Sequence, residues 1–210
     1  MKKIISFIAA LLLASAAFCQ NITFEKVCNQ LAKNSITKGD FQQIKTMNSA
    51  KGKRELKSNG EFILCLDGIM WKTLKPFPST MIVGVDYVVQ IAGNGTKTVK
   101  DTSENQTFSN VAATVVAVFS NDFTQIQKNF SVTFTTEGKN SWKAVLVPKD
   151  KTIASVMSSI TLKGTYGTSS ASLESIIMSE GSDNSTTYIF TNQNYPKELT
   201  KDEKSYFLSK

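Results

Sequence analysis

The 210-residue chain has no histidine, one arginine (Arg54), four prolines and three cysteines. The missing imidazole removes the commonest general base and metal ligand, and with it every Ser-His-Asp or Cys-His arrangement for hydrolysis. Neither a G-x-x-x-x-G-K-[ST] nor a G-x-G-x-x-G phosphate cradle occurs, and Gly93-Asn-Gly95 and Gly164-Thr-Tyr-Gly167 read as turns. The excess of 24 basic over 17 acidic residues is not gathered into a dense tract, and Arg54 alone cannot interleave the aromatic residues. Nucleic acid is therefore not an expected partner. Asp67, Asp86, Asp101 and Asp122 mostly stand at turn signals, where aspartate serves the backbone, and do not suggest a glycosidase pair. No enzymatic activity, metal or cofactor is expected.

What is present begins with a leader. Lys2-Lys3 form a positive n-region, Ile4 to Leu13 a short apolar core, and residues 14–20 a small-residue cleavage zone. The apolar run falls short of the roughly 20 residues that span a bilayer. Residues 1–19 are read as a signal peptide cleaved after Cys19, and residues 20–210 as a single exported domain, expected to be a monomer. Lipid attachment at Cys19 is the alternative, although Phe18 stands where a small residue is wanted. An oxidising compartment would permit a disulfide between Cys28 and Cys65. The helical setting of Cys28, and the phase of Cys65 in its strand, favour two separately buried thiols.

Residues 22–34 carry Ile22, Val27, Leu31 and Ala32 at helical spacing, with Thr23 as N-cap. Residues 39–47 are strand-like, and the polar stretch 48–57, with Lys51, Lys53, Arg54 and Lys57, reads as a solvated connection. The most informative stretch is 58–78. There Phe62, Leu64 and Leu66 alternate onto one face, Asp67-Gly68 supplies a turn, and the returning strand carries Trp71 before Lys75-Pro76 stops it. Residues 80–91 read as one further strand and 96–100 as its partner. Ser109 or Asn110 caps a helix holding Val111, Val115, Val118 and Phe119 on one side, and Asn121-Asp122 breaks it before a second short helix. Strands follow at 130–136, 142–147, 159–165, 173–179 and 186–191, with a short helix at 151–157. The inventory is one large antiparallel sheet with a few helices, able to close into a small barrel or to curl around the helices.

Gly39-Asp-Phe41-Gln42, then Ser58-Asn-Gly60-Glu-Phe62, then Asp67-Gly-Ile-Met-Trp71 before Pro76, resembles in order and spacing the outer-membrane lipoprotein carrier family (LolA). Trp142 to Asp150 and Leu173 to Phe190 extend the resemblance over nearly the whole mature chain. It implies an α+β, mainly β fold: an incomplete antiparallel barrel whose concave face is covered by helices. It also implies a periplasmic chaperone that shields lipoprotein acyl chains, or a related lipid, between an inner-membrane transporter and an outer-membrane receptor. A lipid, glycolipid or sensor module of the same fold is the alternative. Phe62, Leu64, Leu66, Trp71, Val83, Val85 and Tyr87 are the candidate cavity residues, and Val115, Val118 and Phe119 the candidate lid. The family's best-known members carry an arginine just before the hairpin turn that latches the lid, where this chain has Cys65 and Leu66.

Overall fold

The computed structural model describes residues 22–50, 52–84, 87–101, 106–181 and 183–208. The leader and Val85 lie outside them. Helix α1 (Phe24–Leu31) starts where expected, the Thr23 hydroxyl accepting from the Lys26 amide at 3.3 Å, and buries Phe24, Val27, Cys28 and Leu31. Strands β1 (Ile36–Ser49) and β2 (Gly52–Cys65) then pair along their whole length, from Ile36 opposite Cys65 to Ser49 opposite Gly52. The stretch 48–57 is thus mostly strand rather than a connection. Its described side chains are solvated on both faces, so the apolar alternation that marks a strand is missing there.

Strand β3 (Gly68–Lys75) returns from a turn at Leu66-Asp67, one residue earlier than expected, because Gly68 already pairs with Cys65. The single strand expected over 80–91 is two, β4 (Ser79–Val83) and β5 (Tyr87–Ala92), which reverse at Gly84. The Gly84 amide donates to the Tyr87 carbonyl at 2.9 Å, and an added Cβ would meet the Tyr87 ring at 2.3 Å, so only glycine lets the ring lie there. Strand β6 (Lys97–Asp101) pairs with β5. Helix α2 (Gln106–Phe119) begins before Ser109 and Asn110, which lie inside it rather than cap it. Asn121, at φ 58°, ends that helical run, and Asp122 caps α3 (Phe123–Asn129). Strands β7 (Phe130–Glu137) and β8 (Ser141–Pro148), helix α4 (Lys151–Ala154), and strands β9 (Ser159–Tyr166), β10 (Ala171–Ser179) and β11 (Ser185–Asn194) follow the expected order. Helix α5 (Lys201–Phe207) was not anticipated, although Thr200 and Glu203 form a reciprocal capping box that the sequence displays.

The strands form one antiparallel sheet ordered β6-β5-β4-β3-β2-β1-β11-β10-β9-β8-β7, curved but not closed into a barrel. Reciprocal glycine–phenylalanine pairs lie near its middle. Gly39 stands opposite Phe62, and Gly60 opposite Phe41. A Cβ on Gly39 would lie 3.0 Å from the Phe62 ring, and one on Gly60 would lie 2.9 Å from the Phe41 ring and 2.0 Å from the Lys72 carbonyl oxygen. The two rings occupy the room the glycines leave, which gives the Gly-x-Phe element a packing reason.

Both faces of the sheet bury apolar side chains. The larger cluster gathers Phe62, Leu64, Ile69 and Trp71 from the concave side with α1 and the inner residues of α2. The smaller lies on the outer side, where Ile36, Ile63, Cys65, Met70, Ile82 and Val89 are covered by Leu199, Tyr206 and Phe207 of the C-terminal segment. Cys28 belongs to the first cluster and Cys65 to the second, and both are free thiols, so no bridge joins them. Polar ties fasten α5: Lys38 pairs with Glu203, and the Tyr87 hydroxyl donates to the Phe207 carbonyl at 2.8 Å.

Gly60→Ala should destabilise the fold by about 1–3 kcal/mol, because the strand backbone must shift to admit the methyl. Gly181→Ala, with nothing within 4 Å, should change stability by less than about 0.5 kcal/mol, both read from urea unfolding midpoints. Glu203 offers a pH test. Partial burial pushes its carboxyl up, but the Lys38 ammonium and the Thr200 amide and hydroxyl outweigh this and hold it below its ordinary 4.5. Its contribution is therefore present above that value and lost as pH falls through the depressed one. Hydrogen exchange of the Tyr206 and Phe207 amides, corrected for intrinsic rate, should lose protection on acidification below pH 4.5, and Glu203→Gln should flatten that dependence.

Candidate functional site

Antiparallel register aligns the concave residues of successive strands into rows. Thr37, Leu64, Ile69, Val83 and Val88 stand opposite one another across β1 to β5, and Gly39, Phe62, Trp71 and Met81 form the next row. From the other side of β1, β11 brings Phe190, whose ring centroid lies 4.8 Å from that of Phe62, and Tyr188, 6.0 Å from Trp71. Helix α2 lies over these rows and sets Val115 and Phe119 against them.

The seam between sheet and helix holds a void of about 10 Å³, bounded by Thr37, Phe62, Leu64, Ile69 and Trp71 of the first strands, Val115 and Phe119 of α2, and Leu173, Phe190 and Gln193 of the last two. That is at the lower bound for a single water, against the several hundred Å³ of a small-molecule site. The site is closed. Among the described residues no lining side chain ionises, and burial pushes the nearby Tyr188 phenol up to about 12, so it stays protonated at neutral pH. Burial likewise pushes the Cys28 thiol up to about 12, which leaves it inert as a nucleophile. The arrangement can sequester apolar surface.

Of the candidate cavity residues, Phe62, Leu64 and Trp71 bound the void, and Val83 is buried in the same cluster. Leu66 is not there: the strand ends at Cys65, and Leu66 sits in the turn, 64% exposed. Tyr87 lies against the outer cluster. The reversal at Gly84 shifts the alternation by one, so Val88 takes the inward place that an unbroken strand would give Tyr87. Val115 and Phe119 bound the void, and Val118 is fully buried in the cluster. Cys65 faces the outer cluster and Leu66 the solvent, so neither side chain is directed at α2. A polar tie comes instead from Asn121, after α2, whose side-chain amide donates to Asn29 of α1 at 2.6 Å.

The sequence reading missed Thr37, Ile69, Leu173, Phe190 and Gln193. Ile69 was recoverable, since a two-residue turn places it opposite Leu64. Leu173, Phe190 and Gln193 arrive through the pairing of β11 with β1, which no local pattern announces.

No family model and no curated protein sequence matches the chain. Solved structures do. A DUF1329 family protein from Desulfovibrio piger aligns at a TM-score of 0.50 and 8% identity over 88% of this chain and 94% of that one, a likeness of fold alone. An uncharacterized conserved protein from Thermus thermophilus has a TM-score of 0.47 at 8% identity, covering 85% of this chain and 95% of its own. A LolA superfamily protein from Nitrosomonas europaea has a TM-score of 0.44 at 10% identity, covering 86% and 99%. The two lower scores are too distant to support an argument about function.

Asn29→Ala tests the tie without straining α1, since Asn29 is exposed on a helix that tolerates alanine. Losing a neutral hydrogen bond worth about 0.5–1.5 kcal/mol should raise the open population about 2- to 10-fold. Uptake of an apolar fluorescent probe should increase accordingly, while the far-ultraviolet circular dichroism stays unchanged.

Proposed function

We propose that the protein is a periplasmic carrier that takes the acyl chains of lipoproteins, or of a related lipid, between its concave sheet face and α2 and delivers them toward the outer membrane. The observation that carries this reading is the closed seam: a broad apolar face with no ionisable lining residue, covered by a helix lying across it. An acyl chain would displace α2 and replace its contacts. At about 0.8 kcal/mol per buried methylene, one chain supplies ample driving force, so release of cargo is the harder step. The lid suits that need, because α2 carries Thr114, Val115, Val116 and Val118, β-branched residues that pack well and favour the helix weakly. Cleavage of residues 1–19 would leave a monomer that exchanges cargo with an inner-membrane transporter and an outer-membrane receptor. Binding rather than catalysis is the role proposed.

Purification of the mature protein from cells with intact membranes, followed by native mass spectrometry, should reveal co-purified acylated molecules. Phe119→Asp should abolish their retention by placing a carboxylate in the seam. If nothing acylated is retained, and an apolar probe detects no cavity in the wild type, lipid carriage is wrong. Retention of a glycolipid in place of a lipoprotein would point to the glycolipid-binding alternative.

A further inference from the structure

Thr37 is the odd residue of the seam. In β1 its neighbours Ile36 and Lys38 face the outer side, Ile36 into the outer cluster and Lys38 onto Glu203, while Thr37 faces inward opposite Leu64. It is 1% exposed, and its hydroxyl oxygen has no hydrogen-bond partner among the described residues. The other polar residue of the lining, Gln193, is engaged: its amide donates to the Leu173 carbonyl at 2.7 Å, and its oxygen accepts from the Tyr195 hydroxyl at 3.5 Å. A buried hydroxyl without a partner costs free energy that valine, of nearly the same shape, would not. The closed form therefore carries a liability that a suitable occupant of the seam would remove.

We propose that Thr37 is the polar contact of the binding seam, its hydroxyl donating to the neutral carbonyl oxygen at the head of a bound acyl chain. The proposal rests on the carrier reading and deepens it by naming the ligand class: an acyl ester or amide. A bare hydrocarbon fills the apolar lining and leaves the hydroxyl unpaired. A free fatty acid offers an acceptor, but its carboxylate would lose its hydration beside side chains that provide no countercharge. An ester or amide supplies the acceptor without a charge. Thr37 thus sets the preference for the head of the chain, and the apolar rows set the affinity for its tail.

The test compares methyl laurate, tetradecane and sodium laurate as competitors of an apolar fluorescent probe, on wild type, Thr37→Val and Thr37→Ser. Thr37→Val should raise the thermal midpoint of the empty protein, weaken methyl laurate about 2- to 10-fold and leave tetradecane unchanged. Thr37→Ser should keep the ester preference. Equal effects of Thr37→Val on methyl laurate and tetradecane, or no effect on either, overturn the role of the hydroxyl while leaving the carrier reading intact. Tighter binding of laurate than of methyl laurate by the wild type overturns the assignment to a neutral acyl head. If the wild type takes up neither the probe nor any of the three ligands, the carrier reading falls and this proposal falls with it.

Discussion

The architecture turns on one topological requirement. The chain enters the sheet at its centre, runs outward through β1 to β6, and resumes at the opposite edge with β7. It must therefore cross the full width of the sheet once, and the segment that does so is α2 and α3. A crossing over an apolar concave face can lie down on it, and the apolar side of α2 does so through Val115, Ala117 and Val118. The cover of the concave face is thus the connection itself, held at its two ends by β6 and β7.

A sheet that stands without a second sheet has two faces to protect, and this one protects them differently. The concave side is covered by the crossover and α1, with the Asn29–Asn121 contact between those two elements. The outer side is covered by the C-terminal segment, held to the sheet through Lys38–Glu203 and Tyr87–Phe207. Burial on both faces explains why Phe62-Ile63-Leu64-Cys65 and Ile69-Met70-Trp71 are unbroken apolar runs where a strand with one wet face would alternate.

Much of this was legible in the residues. The order of the strands, the helices at α1 and α2, the break at Asn121-Asp122 and the central place of the Phe62–Trp71 hairpin all follow from periodicity and turn chemistry. The misplacements have a common origin. Counting in twos puts Leu66 and Tyr87 on the inner face, but the count crosses points where the chain turns, and a single turn reverses it. The long polar half of the β1–β2 hairpin reads as a connection because strands wet on both sides carry no apolar signature. Leu173, Phe190 and Gln193 have another origin, since their place in the seam depends on the pairing of the first strand with the last.

That register has a consequence for how the molecule comes to exist. Asn192 donates to Asp40 at 2.6 Å across 152 positions of sequence, and no nearer strand can take the place of β11 beside β1. Contacts of such long separation close slowly. Until the last strand arrives, one edge of β1 stays open over fourteen residues, a template for stray pairing between chains. The outer half of β1 meets that exposure with Gln42, Gln43, Lys45 and Thr46, so the strand that waits longest for its partner is one whose surface is poorly suited to a wrong one.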